Sequence, residues 1–214
     1  MTELDVHSRL PELAPSARHR RDGRRTGLVL GAALVAMALV AGLIYTFSAA
    51  VMPNLADADD RTFVATMQRF NQNPVFVLTF VGALVLTAVA AVLQARHGPA
   101  VATRWIIAAL VLYALVLALT FGINIPLNNE LDRAGDPDRI ADLAHVRSRF
   151  EGPWVAANIV RTLLSTAAVS ALARALFLHG RATAARDRWA PPSGRTRLHR
   201  ATPTASEEIR SPAR

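Results

Sequence analysis

Four stretches of this sequence stay apolar on every face for longer than a soluble helix does. They cover residues 27–51, 74–93, 105–125 and 154–177. Each reaches the roughly 20 helical residues that a bilayer core demands. A helix at the surface of a soluble protein keeps a polar face, yet the first three stretches hold no Asp, Glu, Arg or Lys. The fourth holds Arg161 and, near its end, Arg174. The pattern predicts an all-α fold, a four-helix transmembrane bundle. The chain has no Cys, which excludes a disulfide framework, a thiol nucleophile and a Cys-based metal site.

The charge distribution orients the bundle. The formal net charge is +8, and every basic residue is Arg. Together with the abundance of Ala, the absence of Lys points to a GC-rich bacterial genome. If there are four spans, residues 1–25, the link 94–104 and the tail from Arg174 share one side. They hold seventeen Arg against seven acids. The links 52–73 and 126–153 share the other side, with six Arg against nine acids. The positive-inside rule then puts both termini in the cytoplasm, in the inner membrane of a bacterial cell. The basic excess is a topology signal. It predicts membrane lipid as the partner and no nucleic acid. Cleavage after "SAA" at Ser48–Ala50 is the rival reading of the first span, but that span is longer than the apolar core of a signal peptide.

Residues 1–25 and 181–214 are Arg-rich and lack a periodic apolar pattern, so they are read as disordered cytoplasmic tails. Residues 26–180 form the membrane domain. Gly27 and Gly31 are spaced for close helix approach inside the bundle. Each outer link carries a short amphipathic helix. In the first, Asp59 or Asp60 caps a helix with Phe63, Met67 and Phe70 on one face. In the second, Asp136 followed by Pro137 starts a helix with the stripe Ile140, Leu143, Val146 and Phe150. Both helices are expected to cap the bundle or lie on the membrane.

The polar residues of the spans converge on this outer side. The third span ends in "TFGINIPLNNEL", residues 120–131, with amides where charges are usual. Asn124 and Asn128 share a face if the helix continues through Pro126, which frees backbone carbonyls. Asn158 and Arg161 share a face of the fourth span, with Arg161 about 10 Å below Trp154. Asn71 stands where the second span begins. A guanidinium keeps its charge, and none of the spans offers an acid to neutralise it. Three roles stay open for Arg161: a tie to Asn124, Asn128 and Asn158, a ligand or catalytic group, and a snorkelling side chain. All six His fall outside the spans, which argues against haem or a buried metal centre, so no cofactor and no metal are expected. His145 is the only His on the outer side.

The segments "FSAAVMPNL", "MQRFNQNPVF", "NIPLNNEL" and "WVAANIVRTLLS" follow in this order across residues 30–177. They resemble the anthrone oxygenase-like membrane proteins, whose many bacterial members form a domain of unknown function. The matching positions are Asn124, Pro126, Leu127, Asn128, Trp154, Asn158, Arg161 and Thr162. The resemblance implies oxidation of anthrones by molecular oxygen without metal or flavin, as in some fungal relatives. Arg161 would hold the substrate anion, and Asn124, Asn128 and Asn158 would orient it. Phe76, Phe121 or Trp154 would flank a lipophilic aromatic ring. The base would be water or His145. Two other functions stay open: a non-enzymatic membrane protein that binds a lipid, a small hydrophobic molecule or a partner, and a small transporter. The latter needs a polar path through the inner half, where the sequence offers little beyond Thr87 and Ser170. The oligomeric state is not legible.

Overall fold

The computed structural model describes residues 17–73 and 75–189. Residues 1–16 and 190–214, most of the two expected tails, lie outside the described residues. What is described is helical, with no strand. α1 spans Ala17–Thr46, α2 Met52–Ala56, α3 Asp60–Asn71, α4 Val75–His97, α5 Ala100–Leu119, α6 Ile125–Arg133 and α7 Leu143–Trp189. Two π-helical turns, Phe47–Val51 and Thr120–Asn124, join α1 to α2 and α5 to α6. The segments Arg21–Ala56, Val75–His97, Ala100–Arg133 and Leu143–Arg186 are long and apolar enough to cross a membrane. The chain is a multi-pass membrane protein.

α1, α4, α5 and α7 form a ring of antiparallel neighbours in the order α1, α4, α5, α7. The packing is inverted relative to a soluble bundle. Large apolar side chains such as Leu28, Leu39, Leu78, Val111 and Leu163 point outward and are exposed. Small ones, including Ala33, Ala83, Ala90, Ala109, Ala168, Ala171 and Ala175, fill the centre. In lipid the outward groups gain nothing by turning inward, so close approach of small residues holds the helices together. Gly27 follows this logic, since a Cβ there would meet the His179 ring at 3.3 Å. Gly31 does not, because a Cβ there meets open space.

Both outgoing spans end in the same way. Pro53 and Pro126 have no N–H for a carbonyl one turn back, and their rings crowd it. An i→i+5 turn stands just ahead of each. Met52 N donates to Phe47 O, and Ile125 N donates to Thr120 O. The extra residue accommodates the proline, so each helix continues as α2 or α6.

These extensions cap one end of the bundle. α3 starts at Asp59, whose carboxylate accepts from Thr62 N at 3.0 Å and Thr62 Oγ1 at 2.7 Å. It buries Phe63, Val64 and Met67 against Phe47, Met52, Leu131, Phe150 and Trp154. The first link helix therefore caps the bundle. The second expected helix starts later than its sequence indicates. Asp136 makes a local turn, accepting from Asp138 N at 3.0 Å, and the helix begins at Leu143. There Asp142 Oδ1 accepts from His145 N at 2.9 Å. The expected stripe Ile140, Leu143, Val146 and Phe150 still faces the cap. The helix does not stop at Pro153 but runs on as the fourth span, giving 47 residues in one piece.

The helix ends also differ from the expected tail boundaries. α1 begins at Ala17, inside residues 1–25, and α7 passes residue 180 to reach Trp189. Once a span is formed, adding helical residues is favourable, and Arg and Ala are strong helix formers.

Candidate functional site

Arg147, in the first turns of α7, fixes the cap. Its Nε donates to Glu151 Oε2 at 2.7 Å. Its Nη1 donates to Ala58 O at 2.8 Å and Asp60 Oδ1 at 3.1 Å. Its Nη2 donates to Ala56 O at 3.0 Å and Leu55 O at 3.3 Å. The guanidinium also lies over the Phe63 ring, 4.5 Å from the centroid. One planar fork thus satisfies the carbonyls at the end of α2 and joins α2, α3 and α7. On the other side of the cap, Gln68 Nε2 donates to Leu131 O at 2.9 Å and Gly135 O at 3.0 Å. Gly135 follows α6 with φ of 86°, a conformation few side chains accept.

Beneath this cap lies a cavity of about 280 Å³. Its wall includes all eight residues singled out in the sequence: Asn71, Phe76, Phe121, Asn124, Asn128, Trp154, Asn158 and Arg161. The aromatic side is organised by Phe47, which the sequence reading missed. Its ring centroid is 5.1 Å from that of Phe70, 5.9 Å from Phe76 and 5.6 Å from Trp154. Trp154 stacks on Phe150 at 6.0 Å, and its Nε1 donates to Asn128 Oδ1 at 2.8 Å. Asn128 therefore holds Trp154.

Arg161 is 7 % exposed and forms no hydrogen bond or ion pair among the described residues. Its guanidinium lies on the cavity wall, 5.7 Å from the centroid of Phe80. The expected tie to the three amides is absent, because those amides are engaged elsewhere. Asn158 Nδ2 donates to Ile44 O at 3.0 Å and Ser48 Oγ at 2.8 Å. Ser48 Oγ and Thr162 Oγ1 are 3.0 Å apart, and Thr162 Oγ1 donates to Asn158 O at 2.9 Å. Asn158 thus stitches α7 to the π turn of the first span. Asn124 Nδ2 donates to Trp154 O at 3.4 Å. Snorkelling also fails, since the side chain is buried. Three other buried polar atoms have no partner: Asn71 Nδ2, Asn124 Oδ1 and Gln94 Nε2. The first two belong to cavity residues. The cavity wall therefore carries one cation and two carboxamides with buried, unpaired atoms in an otherwise aromatic and aliphatic lining.

His145 does not join them. It lies on a separate surface cavity of about 240 Å³ with Glu130 and Arg149. No Asp, Glu or His lies on the wall of the larger cavity. Among the described residues, no group of three His, Cys, Asp or Glu converges.

The opposite end of the bundle holds a polar cluster that the sequence did not reveal. His179 is buried, with Nδ1 2.8 Å from Gln94 Oε1 and Nε2 3.0 Å from Gly23 O. It joins α1, α4 and α7. The sequence placed it outside the spans, because the fourth was expected to end at residue 177. Near mid-bundle, Tyr113 Oη donates to Phe80 O at 2.9 Å and ties α5 to α4.

The anthrone oxygenase family model matches residues 75–171. The match contains every singled-out residue except Asn71, and it leaves out α1, α2 and α3. Comparison with curated proteins and with solved structures gives no match. Over residues 75–171, which take in most of three of the four spans, the chain is similar to the anthrone oxygenase family.

Proposed function

We propose that this protein oxidises a lipophilic phenol or anthrone with molecular oxygen, without a cofactor, in the cavity beneath the cap. The observation that carries the reading is Arg161, a buried cation with no hydrogen-bond or ion-pair partner among the described residues, set into an aromatic pocket of about 280 Å³. A permanent charge in such a place is stabilised by a ligand oxyanion, and fixed donors do most where charge develops. The substrate's acidic carbon or hydroxyl gives its proton to water. The resulting anion lies between the rings, with its oxygen toward Arg161 and Asn71 Nδ2. The ring carbon passes electrons to oxygen and forms a C–O bond. Loss of one water from the peroxide leaves a new carbonyl. One O₂ is consumed, one oxygen atom enters the ring and one water leaves, so no external reductant is required.

The protein is placed in the inner membrane of a bacterial cell, with both termini in the cytoplasm, as the Arg asymmetry supports. The capped end and its cavity then face outward. Oxygen uptake by the purified protein with anthrone tests the chemistry. Rates that are the same for wild type and Arg161→Ala would remove it.

One observation favours a second reading, a binding protein without turnover. The cavity wall offers no Asp, Glu or His as a base. That reading expects a lipid or quinone to co-purify and no oxygen uptake. Transport finds less support, since the half of the bundle away from the cap is packed with alanines.

A further inference from the structure

The cavity has a roof, a floor and one incomplete wall. The roof is α3 with Phe63, Val64 and Met67 buried, held by Arg147. The floor lies where Tyr113 ties α5 to Phe80 of α4. Between them, the wall formed by α4 and α5 is exposed on its outer face. Val77 is 65 % exposed, Val81 54 % and Phe121 66 %, although all three line the cavity. A residue that both lines a cavity and faces outward stands at its edge. Thr120–Asn124 packs on α5, α6 and α7 more closely than on α4. At 1.5 Å per residue, Val77 and Leu84 mark a slit about 10 Å tall. It begins near the start of α4 at Val75 and ends near the middle of a hydrocarbon core about 30 Å thick.

We infer that this slit between α4 and α5 is a lateral portal, through which a lipophilic ligand passes between the cavity and the acyl chains of the leaflet on the capped side. The inference rests on the proposed reading of the cavity as a binding site for a flat aromatic molecule with one acidic oxygen. Such a molecule partitions into the bilayer, so a route from the lipid spares it a passage through water. The rim is apolar, formed by β-branched Val77 and Val81 of α4 and by Phe121. It therefore selects flat, uncharged molecules. The substrate ionises only once inside, where Arg161 can hold the anion. Val77, Val81 and Phe121 become specificity-determining residues of the rim.

The test needs no turnover. Trp154 lines the cavity and becomes the sole tryptophan in the variant Trp105→Phe/Trp189→Phe of the full chain. The protein is reconstituted in phosphatidylcholine brominated in the upper acyl chain, and Trp154 emission is compared with that in unbrominated lipid. Bromine quenches only within contact range. A portal open to lipid predicts a clear loss of Trp154 emission in the brominated lipid, because acyl chains then reach the pocket that this ring lines. Adding Val77→Phe/Val81→Phe should restore most of the emission, with acrylamide in the water having little effect on either protein. Emission unchanged by brominated lipid, or quenched by acrylamide and not by lipid, overturns the portal. Anthrone-dependent oxygen uptake is measured on the same samples. Lipid quenching without uptake removes the proposed chemistry and leaves the portal. Uptake without lipid quenching does the reverse.

Discussion

Replacing Arg161 by Met should make the empty protein more stable and its proposed activity vanish. The substitution keeps an unbranched side chain of similar reach and deletes the charge. Arg at the centre of a membrane helix costs about 2.5–3.5 kcal/mol on insertion scales. Here the cost is not met by a partner, since Nε is buried without an acceptor. The Phe80 ring, 5.7 Å away, returns about 0.5–2 kcal/mol as a cation–π contact. The difference leaves a net gain of about 0.5–3 kcal/mol for Arg161→Met, comparable to what is found when buried charges give way to apolar groups. For a chain of 214 residues, each kcal/mol moves the midpoint by about 2–4 °C. The unfolding temperature should therefore rise by several degrees in a thermal scan of the detergent-purified protein. Oxygen uptake with anthrone should fall to background. A drop in unfolding temperature of the same size would show that Arg161 ties the helices together, and the argument for a ligand-bound guanidinium would fail.

Other positions separate structure from site. Asn158→Ala breaks the bonds to Ile44 O and Ser48 Oγ and should destabilise by about 1–3 kcal/mol, read as a lower unfolding temperature. Arg147→Ala strips the cap of a guanidinium that holds two acids and three carbonyls, and should cost about 2–4 kcal/mol. Arg147→Lys should recover only part of it, because one ammonium cannot reproduce the fork; limited proteolysis of residues 56–73 follows the loosening. The Asp59 carboxyl is held below its ordinary value of 3.8 by the Thr62 hydroxyl and then the Thr62 N–H. With the folded value depressed, its contribution is complete above the ordinary value and is lost as pH falls through the lower one. Amide exchange in the first turn of α3 should therefore quicken in acid, and Asp59→Ala should be fast at every pH.

The bundle was legible because lipid imposes a simple rule, that a backbone crossing the bilayer must satisfy itself by helix formation. The convergence of Asn71, Asn124, Asn128, Trp154, Asn158 and Arg161 was legible for a related reason. Polar side chains within apolar stretches stand out, and helical rise places them at similar depth. Their pairing was not legible. A tie of three amides to one guanidinium was one of three roles that the sequence left open. The amides instead bond to Trp154, Ile44 and Ser48, and no pattern of apolar residues marks a π turn. Only the prolines that follow, Pro53 and Pro126, hint at one. Phe47 was missed because an aromatic in an apolar stretch carries no contrast. Arg147 was missed because it sits in a link full of charges, where a solvated side chain is the usual case. The helix start at Leu143 was misplaced since Asp136 and Asp142 are both good caps, and the burial of Leu143, Val146 and Phe150 decided between them.

The two π turns also explain why a cavity forms where it does. The half of the bundle away from the cap is filled by alanines together with Leu30, Ile106 and Leu172, and at its far end by the His179–Gln94 pair. For a void to exist, the helices must part or their walls must bend. Each π turn inserts one residue into a wall, at Phe47–Val51 and Thr120–Asn124, and so turns the side chains beyond it to new directions. Phe47 and Asn124, the ends of these segments, both reach the cavity wall. Each distortion would be unstable alone, and each is held by α7: Asn158 binds the first wall at Ile44 and Ser48, while Trp154 O accepts from Asn124 of the second. The same two turns of α7 then carry Arg161 into the space they hold open. The amides support the walls, and the guanidinium is left free for whatever enters.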